Sequence, residues 1–309
     1  MYRHSIQRLS LQSRYLNKTE MATTWPLHRC SSLAFQRATY AAAIVAGGPR
    51  RSFASGSCDF RAWNWFFPSR YYCSSSITNA AVVLANDDKY GNKQIISLTP
   101  RLYDYILSNV REPEILRQLR EETATLRGSQ MQVSPEQAQL LAMLVEILGA
   151  QRCIEVGVYT GYSSLAIALV LPDSGCLVAC ERDANSLDVA RRYYERAGVS
   201  HKVKVKHGMA ADILKSLILN GEASSYDFAF VDAEKRMNQE YFELLLQLVR
   251  VGGVIVIDNV LWHGKVADPL VNDARTLSIR NFNKTIMEDN RVSISMVPIG
   301  DGMTVCRKR

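Results

Sequence analysis

The chain predicts a doubly wound α/β fold finished by an antiparallel hairpin and preceded by covering helices. Three observations carry this. From residue 153 onward, short β-branched runs alternate with helical patterns of about ten residues or more, which implies parallel strands joined by right-handed crossovers and buried on both faces. The last two apolar runs are separated only by Gly300-Asp301-Gly302, a linker far too short for a crossover and suited to a hairpin. Ahead of the alternation, helical patterns follow one another with no strand between them.

Residues 98–109 and 113–126 read as helices, the second opening on Pro113, whose missing N–H costs nothing in a first turn. Ser134-Pro135-Glu136-Gln137 is a capping box, leading into Leu140, Leu141, Leu144, Val145 and Leu148 at helical spacing, and Gly149 ends that helix. These three helices are expected to cover one side of the sheet and to line a substrate entrance. Strands follow at 153–158, 176–180, 202–206, 226–231 and 254–257. Helices at 162–171, 186–197, 211–219 and 239–250 separate them. The hairpin comprises 292–299 and 303–307. A nicotinamide-binding sheet would instead continue with parallel units.

Composition is that of a globular protein, with 47% hydrophobic and 22% charged residues in 309. No apolar run approaches the about 18 residues needed to cross a bilayer. The net charge of +7, with a pI near 9.0, would suggest a polyanionic partner if it were spread over the folded surface. It is not spread. Residues 1–76 hold ten basic residues against Glu20 and Asp59, and removing these from totals of 37 and 30 leaves 27 basic and 28 acidic residues in 77–309. A body at about −1 lacks the basic face that phosphate binding needs, which argues against a nucleic-acid enzyme.

The N-terminal quarter is rich in Ser and Arg and poor in acids, the composition of an organellar transit peptide. Residues 1–16 can be drawn as a helix with Arg3, Arg14 and Lys18 available to one side and Ile6, Leu9 and Leu16 to an apolar contact. Arg51-Ser52-Phe53-Ala54-Ser55 and Arg70-Tyr71-Tyr72-Cys73-Ser74 resemble matrix-processing sites, so a mitochondrial address is expected. A chloroplast address and a disordered, non-targeting extension are the alternatives. Residues 77–309 then form a single domain, with its motifs in 93–309. Of seven cysteines, Cys153, Cys176, Cys180 and Cys306 fall in strand-like runs with no Cys-x-x-Cys spacing, and read as buried free thiols.

In doubly wound sheets ligands lie beyond the carboxyl ends of the strands. The first strand ends in Glu155-Val156-Gly157-Val158-Tyr159-Thr160-Gly161-Tyr162-Ser163, a G-x-x-x-G spacing with an acid two residues ahead, not the pattern of dinucleotide binders. A carboxylate here suits a cationic ligand. Glu181, at the end of the second strand, can accept both hydroxyls of a ribose, and Gly208-Met209-Ala210 after the third leaves a small slot for a base. Taken in order, these describe S-adenosylmethionine.

The fourth strand ends in Asp232-Ala233-Glu234-Lys235 and the fifth in Asp258-Asn259. Asp232, Asp258 and Asn259 offer three oxygen donors and no sulfur or nitrogen, which suits Mg2+, with Ca2+ or Mn2+ as substitutes, and argues against zinc. A cation so held binds two adjacent phenolic oxygens and acidifies the one to be methylated. Lys235 reaches the same oxygen and serves as general base when the nearby cation favours its neutral amine.

These motifs, with Val251-Gly-Gly-Val-Ile-Val-Ile-Asp-Asn259 and Gly300-Asp-Gly-Met-Thr-Val-Cys306, resemble the cation-dependent caffeoyl-coenzyme A O-methyltransferase family over about residues 93–309. That group of class I methyltransferases is related to catechol O-methyltransferase. The resemblance implies a Rossmann-like methyltransferase sheet, a homodimer, and methylation of one hydroxyl of a vicinal diol on a phenolic small molecule, such as a caffeoyl ester or thioester or a flavonoid. It implies cofactor contacts at Val133, Glu155, Gly157, Val158, Ser163, Glu181, Ala210 and Glu234. It likewise implies metal ligands at Asp232, Asp258 and Asn259, catalysis by Lys235 with Asp232, and acceptor contacts at Lys93, Asp232 and His263. Positions 181 and 234, usually Asp in the lignin-pathway enzymes, are Glu here, and Val133 stands where a hydroxyl side chain is common. The alternative function is a non-catalytic S-adenosylmethionine-binding scaffold, against which the joint presence of Asp232, Lys235, Asp258 and Asn259 argues.

Overall fold

The structure, a computed structural model, describes residues 82–84, 91 and 94–309. Residues 1–76, expected to be a targeting segment, and Lys93 lie outside the described residues. A short antiparallel pair, β1 (Val82–Leu84) and β2 (Gln94–Ile96), precedes the covering helices α1 (Pro100–Ser108), α2 (Glu114–Ala124) and α3 (Pro135–Leu148). The alternation follows as β3 (Arg152–Val156), α4 (Tyr162–Val170), β4 (Cys176–Glu181), α5 (Ala184–Arg196), β5 (Val203–His207), α6 (Ala210–Leu219), β6 (Tyr226–Val231), α7 (Asn238–Leu248) and β7 (Val249–Asp258). The chain continues through α8 (Ala274–Glu288) to β8 (Val292–Val297) and β9 (Met303–Lys308).

The seven-stranded sheet has the order β5-β4-β3-β6-β7-β9-β8. Strands β3 to β7 are parallel to their neighbours, while β9 runs antiparallel to both β7 and β8. The chain moves outward from β3 to β5 and then returns to lay β6 against the other side of β3. This reversal between β3 and β6 is where a ligand crevice forms in such sheets.

Period-two alternation divides the core between two faces. Cys153, Leu177, Phe228 and Phe230 pack with α3, α4 and α5, whereas Ile154, Val178, Ala229 and Val231 pack with α6, α7 and α8. On the second face, Phe242 of α7 meets Phe282 of α8 edge to face at 5.9 Å. On the first, Glu112 accepts two hydrogen bonds of 2.8 Å from Arg120 and one of 2.5 Å from Tyr162 Oη, which joins the α2 region to the start of α4.

Most predicted elements are present with ends displaced by a residue or two, and three differences have physical causes. Strand β7 begins at Val249, not 254, because Gly252 at φ +80 and the adjacent Gly253 carry the strand through a register shift opposite Tyr226 and Phe228. Helix α8 was not expected. Its signal was present in Asp273, whose side chain caps the N–H groups of Arg275 and Thr276, and in the buried stripe Ile279, Phe282 and Ile286. The β1–β2 pair was also unforeseen, since three-residue strands carry almost no periodicity.

At the reversal the backbones of neighbouring strands close on each other. Asp232 N donates to Val156 O at 2.8 Å and Gly157 N to Cys180 O at 2.9 Å. Gly157 has φ +93, and a Cβ there would lie 2.5 Å from the Asp232 carbonyl oxygen. We therefore expect Gly157→Ala to destabilise the fold by at least about 2 kcal/mol, from steric overlap and strain together. Urea unfolding followed by circular dichroism measures this, and an unchanged midpoint would contradict the close approach.

Candidate functional site

The loop from β3 to α4 is held from three sides. From below, the fully buried Glu155 accepts hydrogen bonds from Ser163 Oγ at 2.5 Å and from Ser164 Oγ. From the covering helices, the Thr123 and Thr160 hydroxyls share a buried bond of 2.8 Å, and Tyr159 Oη donates to Arg127 O at 3.0 Å. From β4, Glu181 Oε2 accepts from Val158 N and Tyr159 N, both at 2.9 Å. Gly161 at φ +88 leaves no Cβ to collide with Ala190 and Tyr194, so α4 packs directly on α5.

Two sequence expectations change here. Glu155 was expected to face a cationic ligand, but it lies beneath the loop with both oxygens taken. Burial is the largest influence on it and, helped by the charges of Asp232 and Glu181, pushes its carboxyl up to about 8 against the two serine hydroxyls. Glu181 was expected to project beyond the sheet edge toward ribose hydroxyls. Instead it turns inward, with Oε1 also accepting from Arg182 N at 2.8 Å and Asp183 N at 3.0 Å. One methylene more than Asp lets its carboxylate reach the loop's otherwise unpaired N–H groups.

Around the loop, Val158 and Ala210 are buried and Ser163 is committed to Glu155. Val133, expected at the cofactor, packs into the apolar core beside α2 and α3 and has no polar atom to offer on its side chain.

The second cluster sits at the ends of β6 and β7. Lys235 Nζ, nearly buried, donates to Asp232 Oδ1 at 2.6 Å. Asp258, only 3% exposed, accepts at Oδ1 from Asn259 N at 2.8 Å and from Gln137 Nε2 at 3.0 Å. Burial chiefly, then the charge of Asp232, raises the Asp258 carboxyl to about 7, while Lys235 opposes the shift. Asn259 follows at φ +59, a left-handed conformation that asparagine tolerates better than most residues. The donor set of two carboxylates and one amide oxygen, with like charges crowded in a buried place, fits a hard divalent cation. Among the described residues no group of three or more His, Cys, Asp or Glu side chains gathers, here or elsewhere, so the third donor at this place is the Asn259 amide.

A third group borders these. Glu234 pairs with Arg236 at 3.1 Å and lies 3.7 Å from Arg275, whose guanidinium stands 5.4 Å from the Trp262 ring centre. The cations and hydrogen bonds from Arg236 outweigh partial burial and lower the Glu234 carboxyl. His263 is exposed, tilted against Trp262, with Nδ1 3.7 Å from Asp301. Trp262 and His263 take successive positive φ values of 49° and 53°. Gln137, Ser164 and Arg275 were missed as site residues. Gln137 carries only the signal of a helix cap, Ser164 adjoins an expected residue, and Arg275 lies in the first turn of α8, a helix the strand–helix alternation does not announce.

The Glu155 carboxyl generates a pH dependence. In the unfolded chain it ionises near 4.5 and in the folded protein near 8, so the unfolded state gains by ionisation first. Stability attributable to this group falls as pH rises between those values and is level above 8. Glu155→Gln should flatten the urea midpoint over that window, and an identical slope in wild type and variant would refute the assignment.

The chain matches the model of the O-methyltransferase family over residues 107–309. Tricin synthase 1 of Oryza sativa subsp. japonica is 43% identical over 237 residues, covering 72% of this chain and 94% of that protein. Caffeoyl-CoA O-methyltransferase 1 of Zea mays is 40% identical over 230 residues, covering 71% and 88%. Among solved structures, the Streptomyces achromogenes O-methyltransferase TomG in complex with SAM superposes with a TM-score of 0.60 at 34% identity, covering 66% of this chain and 94% of that one. The Bacillus cereus O-methyltransferase in complex with SAH gives 0.61 at 34% identity, covering 67% and 97%. With its glycine-bearing loop over a buried acid and its carboxylates at the strand reversal, this chain belongs to the caffeoyl-CoA O-methyltransferase-like family of S-adenosylmethionine-dependent class I enzymes.

Proposed function

We propose that this O-methyltransferase is Mg2+-dependent and methylates one hydroxyl of a vicinal-diol phenolic, a caffeoyl ester or thioester or a flavonoid. The observation carrying the reading is the gathering of Asp232, Lys235 and Asp258 at the ends of adjacent strands, next to the cofactor loop. The names of the rice and maize relatives support the acceptor class.

Asp232, Asp258 and Asn259 would hold the cation, which when bound would supply Lewis-acid activation of the acceptor hydroxyl. Gly157, Val158, Glu181, Ala210 and Glu234 border the S-adenosylmethionine, which supplies the methyl group, while Glu155 and Ser163 fix the loop from beneath and Val133 closes its apolar side. Lys235, hydrogen-bonded to Asp232, takes the proton of the reacting hydroxyl when its amine is in the neutral form. His263 lies on the acceptor side. Catalysis in this arrangement comes mostly from orienting acceptor and donor in line.

We further propose a homodimer through the outer face of α1 and α3. Tyr105, Met143 and Ile147 are exposed there, the first two beside a cavity of about 370 Å3. Sedimentation velocity tests this, and a monomer at micromolar concentration would end the proposal.

Asp258→Ala should lower kcat/KM by more than about 100-fold while leaving S-adenosylmethionine affinity nearly unchanged. Turnover should vanish on chelation and return with Mg2+. An acceptor panel of simple catechols, flavonoids, caffeic acid and its coenzyme A thioester reads the substrate. Activity that survives verified metal removal, or a panel in which only monohydroxy compounds react, would reject the reading.

A further inference from the structure

We infer that Gln137 is a positioning residue for Asp258, fixing which carboxylate oxygen remains free for a divalent cation. The inference rests on the metal reading above and concerns an amide that the sequence marks only as part of a helix cap.

Gln137 is 5% exposed although it lies in the first turn of α3. Its Oε1 accepts from Ser134 Oγ at 2.9 Å and Ser134 N at 3.3 Å, which leaves its Nε2 to donate to Asp258 Oδ1 at 3.0 Å. These partners determine the amide orientation. A flipped amide would set an oxygen against the carboxylate and an NH2 group against the Ser134 N–H, losing both interactions. With Asn259 N donating to the same atom, Asp258 Oδ1 has two donors, and Oδ2 has no hydrogen-bond partner among the described residues.

The backbone around the amide leaves it no alternative place. A Cβ at Gly300 would lie 2.3 to 2.5 Å from the Gln137 Cδ, Oε1 and Nε2 atoms, so the turn between β8 and β9 closes directly onto it. Strand β9 in turn pairs with β7 up to Met303 opposite Asp258. The start of α3, the hairpin turn and the end of β7 therefore meet at this one side chain.

Residue type follows from these demands. Asn is one methylene short, Leu and Met supply no donor, and Glu would accept from Ser134 only by placing a second negative charge against Asp258. An amide of this length satisfies both neighbours. Without it the buried carboxylate loses a donor and the restraint on its rotation, and outer partners of metal ligands of this kind typically contribute 10–100-fold to metal affinity.

The test uses Mn2+ as a paramagnetic probe on the full chain, counting free ion by electron paramagnetic resonance without acceptor, alongside melting temperature and steady-state kinetics. Gln137→Leu should weaken Mn2+ binding by about 10–100-fold and raise the metal concentration for half-maximal activity by the same factor, with the KM for S-adenosylmethionine within about two-fold. Ser134→Ala, which removes the capping hydroxyl but keeps the amide on Asp258, should lower the melting temperature with Mn2+ affinity within about two-fold. Should Gln137→Leu fail to fold, Gln137→Met carries the same expectation. Wild-type Mn2+ affinity in either folded Gln137 variant would reduce the residue to a helix cap and overturn the inference. A wild-type protein that binds no Mn2+ would instead overturn the metal reading on which it rests.

Discussion

The backbone contact between Gly157 and Asp232 constrains the whole site. Adjacent parallel strands normally keep their side chains between them and whatever lies above, but here β3 and β6 finish with one chain against the other, without space for a Cβ. The loop leaving β3 must start in a left-handed conformation, and Asp232 must emerge beside it. The loop after β3 and the Asp232 carboxylate are thereby fixed to each other through main chain, which has little freedom to relax. The precision that in-line methyl transfer demands is built into a glycine and a peptide carbonyl before any polar side chain contributes.

Four carboxylates share this small region, and each is accommodated in a different way. Glu155 is kept neutral by burial over most of the physiological range. Glu181 accepts hydrogen bonds from four backbone N–H groups, two in the loop and two just after β4. Asp232 has an ammonium, and Asp258 has two neutral donors on one oxygen. Asp232 and Asp258 each keep one oxygen without a hydrogen-bond partner among the described residues, and Asp258 is the more deeply buried of the two, so added positive charge gains most there. The inward turn of Glu181 has a related consequence: a ligand approaching the loop meets N–H groups already in use, and must share or displace that carboxylate.

The sheet, its reversal point and most of the chemistry were legible because they rest on local signals: β-branched runs, a glycine-bearing loop, and acids at strand ends. What escaped depends on distance in the chain. Gln137 and Asp258 are 121 residues apart, and nothing in a capping box says which way its amide turns. Glu155 reads as an exposed ligand until the two serines of the following helix turn are seen beneath the loop. Glu181 reads as an aspartate substitute until its extra length is placed against the loop. Helix α8 is legible in principle, through Asp273 and its apolar stripe, but it lies outside the strand–helix alternation that carries the rest of the sheet.

Strand β9 comes last in chain order yet lies inside the sheet, between β7 and β8. A chain emerging from the ribosome therefore completes five parallel strands while β7, with Val254, Ile255, Val256 and Ile257, still has an unpaired edge. Such an edge invites pairing with a neighbouring chain until its own partner arrives. The strand that bears Asp258 is thus the last to be sealed. A nascent copy delayed at this stage would present an aggregation-prone border and an unfinished catalytic centre at once, a natural point for chaperone attention.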